Sequence, residues 1–296
     1  MVKDMGFAEM MKDLITDRLG DGYEVSVREV TKNNGTVLSG LTITKEDVPV
    51  APTIYLELME EAFEKGELSV TAAVNSIVRT YAEHSISEKP EFLNGLDAEK
   101  IYSYVLPKVI NADRNREFLN GVPHAEFLDL AIVYLYHVEV RGLPGNINIT
   151  NKFAQNFGLE PEKLHTRSIE NLKRSGLEMM ELANLIASLT GNDEIGEELS
   201  GAHKMYVFTN GSRFNGAACM VNPECFVELS ERYACDLFLL PSSVHELIVI
   251  PDCDKINVSE LRAMVRSVNE TEVSNEDFLS NSVYVFDHKE KQLRIA

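Results

Sequence analysis

Apolar residues near the start of the chain recur with a helical period. Between residues 7 and 19, Met10, Met11, Leu14, Ile15 and Leu19 form one stripe, closed by Gly20 and an Asp21-Gly22 turn. The period then drops to two. Residues 23–30 alternate, Asn33-Asn34-Gly35 supplies a turn, and residues 37–44 alternate again, which predicts a helix followed by a β-hairpin. Beyond Pro52, the spacing of Ile54, Leu56, Met59 and Phe63 among glutamates predicts an acidic amphipathic helix ended by Gly66. Val70, Ala73, Val74, Ile77 and Val78 share one side of a second helix over 69–81. A third runs over 97–105, with Asp97 as its cap.

Residues 107–110 read as a short extended piece, and the polar run Asn111-Ala112-Asp113-Arg114-Asn115-Arg116 as a break. The expected division is therefore an N-terminal helix/hairpin/helices subdomain over 1–112 and a C-terminal α+β domain over 113–296. In the second part, residues 123–140 end as a long alternating strand stopped by Pro144-Gly145. Helices are predicted over 152–157, 161–174 and 177–189. Residues 205–209 and 217–221 look like strands paired across a loop with two Asn-Gly steps, and Pro223 opens a helix through Tyr233. Asn257 and Glu260 start a helix with Leu261, Met264, Val265 and Val268 on one face. Two last strands, 283–286 and 292–295, turn at 288–291.

The stretch from Asp236 to Asp252 organises this half. Its apolar runs, 238–240 and 247–250, are too short for buried helices and carry branched side chains suited to core strands, each stopped by a proline. Between them lie Ser242, Ser243, His245 and Glu246. Hairpins interleaved with single helices predict an α+β fold: an antiparallel sheet with helices packed mainly on one face, plus the smaller N-terminal subdomain.

Composition narrows the function classes. The 296 residues are 44% hydrophobic and 25% charged, the balance of a globular chain that buries its own core. A formal net charge of -19, with no long Lys/Arg cluster, repels phosphate backbones, so direct nucleic-acid binding is not expected; an acidic nucleic-acid mimic is the contrary reading. Cys219, Cys225, Cys235 and Cys253 match neither a C-x-x-C pair nor zinc-knuckle spacing, and since three of them lie among apolar residues they read as buried free thiols. The first residues lack an apolar signal-like run and no stretch reaches membrane-spanning length, so a cytoplasmic protein without membrane association is expected. Rossmann, Walker, kinase and EF-hand signatures are missing from the sequence, and no cofactor is expected.

The candidate chemistry lies in the polar knot. A hydroxyl beside an imidazole beside a carboxylate is the set that nucleophilic attack requires, which makes Ser242, Ser243 and His245 the catalytic candidates. On an extended strand, however, Glu246 would point away from His245, and no G-x-S-x-G elbow surrounds either serine; a third member would come from elsewhere, with Asp236 and Asp252 as candidates. The structural alternative is a turn whose hydroxyls bond to backbone. His245-Glu246 begins like a zinc-protease motif, but Val249 stands where the second ligand belongs, so no metal site is expected. His124, Glu126 and Asp129 form a second constellation. As a binding surface, His124, Asp129, Ser243, His245 and Glu246 are the candidates. The loop 211–216 reads as a hairpin turn in preference to a phosphate cradle, and the other histidines, His84, His137, His165, His203 and His288, are scattered singly.

Four segments carry a resemblance: Lys32-Asn33-Asn34-Gly35 leading to Leu41, Pro52-Thr53-Ile54-Tyr55-Leu56, Val122-Pro123-His124 leading to Leu128-Asp129-Leu130-Ala131, and Leu240-Pro241-Ser242-Ser243-Val244-His245-Glu246. In this order they resemble an uncharacterised gut-Firmicutes family known as a domain of unknown function (DUF 5688 type), across nearly the whole chain. The C-terminal half is also similar to another uncharacterised bacillar family. The resemblance implies a bacterial cytoplasmic protein and brings no catalytic residues. The expected function is a protein- or ligand-binding module without catalysis, its partner an unknown protein or small molecule; the alternatives are a hydrolase or transferase using Ser242 or Ser243 with His245, and the acidic mimic.

Overall fold

A computed structural model describes residues 6–45, 51–85, 95–140, 143–191, 204–253 and 255–296. The chain divides into two compact units, Met1–Gly95 and Leu96–Ala296. The sequence boundary after residue 112 falls in the turn that follows a strand of the second unit, and the division into units falls earlier, at Gly95.

In the first unit, helix α1 (Phe7–Leu19) precedes the hairpin β1 (Tyr23–Thr31) and β2 (Val37–Lys45), with Asn34 and Gly35 both at positive φ in the turn between them. Phe7, Met11 and Ile15 recur every four residues and so face one way, onto Val25, Leu41 and Ile43 of the sheet. The residues from Ile54, expected to begin a helix, do so only after a short strand. Thr53–Tyr55 forms β3 on the free edge of β2, where Ile54 pairs with Leu41, and helix α2 (Glu57–Glu64) starts beyond it. Burying Ile54 against the sheet overrides the helical spacing of the segment. Helix α3 (Val70–His84), capped by Ser69, adds Ala73 and Ile77 to the same core.

Among the described residues, the second unit holds two antiparallel sheets. The smaller is built on one long strand, β6 (Leu130–Val140). On one side it pairs with β4 (Val105–Asn111); on the other, β5 (His124–Phe127) and β7 (Leu143–Asn148) lie end to end along it. The Pro144-Gly145 step, expected to stop the strand, belongs instead to β7, which returns along β6 with Gly145 opposite Val138. Helix α4 (Ala98–Tyr104) leads into β4, its Lys100 N–H bonded to Asp97 Oδ1 at 2.8 Å. The short helix α5 (Arg116–Leu119) covers Ile110, Ala131 and Val133. Thr150 caps α6 (Asn151–Phe157), and α7 (Pro161–Ser175) packs on β4 through Asn171, whose amide donates to the carbonyls of Tyr102 and Val105.

The larger sheet has the order β13-β12-β10-β11-β9-β8. Its centre is the hairpin β10 (Leu237–Pro241) and β11 (Leu247–Pro251), flanked by β9 (Tyr206–Asn210) and β12 (Tyr284–Phe286). All five residues of β10 are buried, and its two faces pack differently. Phe238 and Leu240 meet Leu261 and Val265 of the helix at Val258–Thr271. On the face of Leu237 and Leu239, Phe226 stacks between Phe208 and Phe286 at 5.3 and 5.7 Å. The edges are β13 (Leu293–Ile295) and β8 (Leu177–Glu181).

Two expectations change here. Residues 177–181, expected as helix, pair with β9 as β8, and only then does α8 (Leu182–Thr190) begin. Residues 217–221, expected as a strand beside 205–209, form a buried 3₁₀ turn over Gly216–Val221; β9 pairs with β8 and β11 instead. In both cases sheet pairing and burial outweigh the local pattern. A second 3₁₀ turn and helix α9 (Val227–Tyr233) follow, and α10 is the helix at Val258–Thr271. The α+β class holds, and among the described residues no helix is long and apolar enough to cross a membrane.

Candidate functional site

Residues 242–246 close the β10–β11 hairpin as a five-residue loop, with Pro241 opposite Leu247 at its base. The loop is internally bonded. Ser243 N–H donates to the Glu246 carbonyl at 3.4 Å, Ser243 Oγ accepts the His245 N–H at 3.0 Å, and Ser242 Oγ donates to Glu246 Oε1 at 3.4 Å. Both serines thus serve local turn chemistry. Val244 is buried, and its N–H donates to the Asp277 carbonyl at 2.8 Å.

The His245 ring faces two other segments. The Asn215 backbone N–H, which can only donate, reaches Nδ1 at 3.1 Å, so Nδ1 is the accepting nitrogen. The neutral ring then carries its proton on Nε2, which donates to Asp277 Oδ1 at 3.1 Å. Asp277 is steadied in turn by Ser274, whose hydroxyl donates to Oδ2 at 2.8 Å. The hydroxyl that His245 meets is that of Ser243, through its backbone N–H and not through the ring. The ring also lies against Phe214, with centroids 5.1 Å apart.

Asn215 sits at φ 56°, and its left-handed backbone turns the chain from the exposed loop 211–214 into the 3₁₀ turn. Gly216 follows because nothing larger fits: a Cβ there would lie 2.2 Å from Thr209 Oγ1 and 2.5 Å from the His245 carbonyl oxygen. Thr209 Oγ1 itself donates to that carbonyl at 2.8 Å, and Ala217 N–H reaches the Val244 carbonyl at 3.3 Å. The segment 209–217 is therefore stitched to the hairpin loop by three hydrogen bonds, two on backbone carbonyls and one on the imidazole.

The outer side of this segment faces the smaller sheet across a cleft of about 420 Å³. Leu106, Leu135, His137 and Asn146 line one wall; Asn210, Ser212, Phe214 and Asn215 line the other. The first four share a face, since Leu106 pairs with Leu135 and His137 with Asn146. His137 Nδ1 lies 3.0 Å from Asn146 Oδ1 and donates to it, which leaves Nε2 as an acceptor. Asn215 is 6% exposed, and its carboxamide oxygen is buried with no hydrogen-bond partner among the described residues. A second hollow of about 380 Å³ shares Leu106, His137, Asn210 and Ser212 with the first and runs on past Tyr104 to Arg174.

The remaining sequence candidates lie elsewhere. His124 is exposed on β5, its Nδ1 donating to the Val122 carbonyl at 3.0 Å. Asp129, in the turn before β6, accepts three hydroxyls: Ser280 and Ser282 at 2.8 Å each, and the buried Tyr284 at 2.7 Å. Burial, and then the Asp129 charge, push the Tyr284 phenol well above its ordinary range. Asp129 does not join the His245 knot directly, but one segment serves both. Residues 274–284 meet His245 at Asp277, Asn111 at the Leu279 carbonyl, and Asp129 at Ser280, Ser282 and Tyr284. Arg114 lies over the Phe278 ring at 3.6 Å on the same segment. Asp236 and Asp252, considered as partners for His245, bond to backbone instead, at His288 and Ile256. His203 lies outside the described residues, and among those described no three His, Cys, Asp or Glu side chains converge as a metal ion would require.

Sequence reasoning missed Asp277 and Asn215, the two groups that hold the imidazole. The only signal for the second was the Asn-Gly step at 215–216, which marks positive φ without saying what the turn packs against. A family model described as a family of unknown function (DUF5688) matches residues 5–288. No curated protein and no solved structure matches the chain.

Proposed function

We propose, for a chain that belongs to this family of unknown function (DUF5688), a non-catalytic binding role centred on the cleft between the smaller sheet and residues 210–215. The observation that carries it is Asn215: a nearly buried carboxamide whose oxygen has no partner among the described residues, in the wall of a cleft of about 420 Å³. A buried amide oxygen without a donor costs free energy, and a ligand that brings a donor, or lets the amide turn to meet one, recovers it. The volume falls within the usual range for small-molecule sites.

The lining indicates the ligand's character. Leu106, Leu135 and Phe214 offer apolar contact, while Asn146, Asn210, Ser212 and the accepting Nε2 of His137 offer hydrogen bonds; among the described residues, those lining this cleft are uncharged. That set suits a neutral, hydroxyl- or amide-bearing molecule with an apolar face. Engagement of both His245 nitrogens, by Asn215 N–H and by Asp277, leaves no ring lone pair directed at Ser242 or Ser243, which supports recognition over nucleophilic chemistry.

Ligand-observed NMR with a panel of neutral saccharides and small primary amides, and their carboxylate and phosphate counterparts as controls, tests this reading. Neutral members should bind, and Leu106→Trp, which fills the cleft, should abolish binding without unfolding the protein. Binding that survives Leu106→Trp would refute the location. Covalent labelling of Ser242 or Ser243 by a fluorophosphonate probe would refute the non-catalytic role.

A further inference from the structure

The cysteines point to a property separate from the cleft. The ladder of the central hairpin pairs Leu237 with Pro251, and the Asp252 N–H donates to the Asp236 carbonyl at 2.9 Å, so the antiparallel register continues past the strand ends. One step further, Cys235 stands opposite Cys253, and their Sγ atoms are 3.2 Å apart as free thiols. Because Asp236 and Asp252 share a ladder hydrogen bond, the next pair along occupies the non-hydrogen-bonded site. There opposed Cα atoms come to about 4.5 Å and side chains approach most closely. That separation lies inside the range a disulfide spans.

We propose that Cys235 and Cys253 form a reversible redox pair, closed by exchange with a small-molecule disulfide. The two thiols divide the work by exposure. Cys253 is exposed and receives the oxidant; Cys235 is half-buried and resolves the intermediate. In the first step the Cys253 thiolate attacks one sulfur of the small disulfide, breaking its S–S bond, releasing one small thiolate and leaving a mixed disulfide on Cys253. In the second, Cys235 Sγ attacks Cys253 Sγ and displaces the other small thiolate. The two cysteine protons end on the two released thiols, so two protein thiols and one small disulfide give one protein disulfide and two small thiols.

The surroundings favour this order. Burial, followed by the hydrogen bond and charge of Cys253, pushes the Cys235 thiol up to about 12, so Cys235 stays protonated while Cys253 is free. Capping Cys253 as a mixed disulfide removes the second and third of those causes and so eases deprotonation of the resolving thiol. The other two cysteines are poorly placed to compete. Cys219 is fully buried, with its thiol raised well above the ordinary range first by burial and then by Cys225; Cys225 is raised by burial and bonded to the Asn222 amide.

The consequence is mechanical. The cross-link would fasten the open end of the β10–β11 hairpin, whose other end is the His245 loop. It would also fix Cys235, whose carbonyl accepts from Ser230 Oγ, and Asp236, which accepts the His288 N–H.

The test titrates the full chain with oxidised and reduced glutathione, quenches with an alkylating agent under denaturing conditions, and maps peptides by mass spectrometry. The free thiols should fall from four to two, with a peptide linking Cys235 to Cys253, full reversal by reduced glutathione, and a melting temperature higher by roughly 6–12 °C in the oxidised form. Glutathione retained on Cys253 while Cys235 remains alkylatable would overturn the proposal. So would an unchanged loss of two thiols in Cys253→Ser, since the pair would then lie elsewhere.

Discussion

His245 donates from Nε2 to Asp277 Oδ1 across 3.1 Å, joining the central hairpin loop to a segment 32 residues further along the chain. The imidazole accepts the Asn215 N–H on its other nitrogen, so one side chain holds three stretches of backbone together. Replacing it should be felt as lost structure. His245→Ala is expected to cost about 2 kcal/mol for two hydrogen bonds, one of them to a carboxylate. Asp277→Asn keeps an oxygen acceptor at the same place and should cost less than half as much. Urea denaturation of the two variants measures the difference; equal losses would mean that the carboxylate charge, and not an acceptor oxygen alone, carries the contact.

Gly216→Ala should be among the most damaging single-methyl additions in the second unit. Its Cβ would meet Thr209 Oγ1 and the His245 carbonyl at 2.2 and 2.5 Å, and overpacking against backbone costs roughly 3 kcal/mol. Trimming the side chain in the way, as Gly216→Ala with Thr209→Ala, should recover little, because the carbonyl remains. Melting temperatures of the single and double variants check this.

Asp129 anchors three hydroxyls, and its removal strands all of them. Asp129→Ala is expected to cost about 3 kcal/mol, since the buried Tyr284 phenol loses a charged acceptor along with Ser280 and Ser282. Asp129→Asn, with one oxygen and one amide nitrogen, should fall between wild type and the alanine variant. Equilibrium unfolding in urea provides the ranking.

Alkaline stability should fall in a defined window. Burial pushes the Tyr134 phenol up to about 12 from an ordinary value of 10.0. The folded state therefore holds this proton more tightly than the unfolded one. The stabilisation is complete below about pH 10, where both states are protonated, and is lost progressively as pH rises from there through 12. Tyr134→Phe removes this titrating group and should flatten the decline in stability measured between those two values. An identical slope in the variant would show that Tyr134 does not contribute.

Much of this architecture could be read from residue pattern. The stripe of Met11 and Ile15, the Asp97 cap and the two apolar runs around Ser242 are local signals, and local signals survive folding. Where the reading failed, a distant partner decided. Leu177–Glu181 is strand because β9 offers an edge, and Ile54 is strand because Leu41 does. At the site, the serines and histidine were legible as a polar corner, but Asp277 and Asn215 reach His245 from 32 and 30 residues away, beyond any spacing rule. The cysteines are a subtler case. Cys235 and Cys253 are equidistant from Val244 at the tip of the hairpin, so the register alone would have set them face to face once the loop was centred correctly.

The segment 274–284 imposes an order of assembly. The smaller sheet can pair its own strands as soon as β7 has been synthesised, yet its hydrogen bonds to this segment span 151 to 168 residues, from Asp129 to Ser280 and from Asn111 to Leu279. Contacts that distant in the chain are slow to form. During translation Asp129 therefore waits, without its hydroxyl partners, until residues 280–284 have been made, and a nascent chain halted before Ser280 would carry the smaller sheet without these hydrogen bonds.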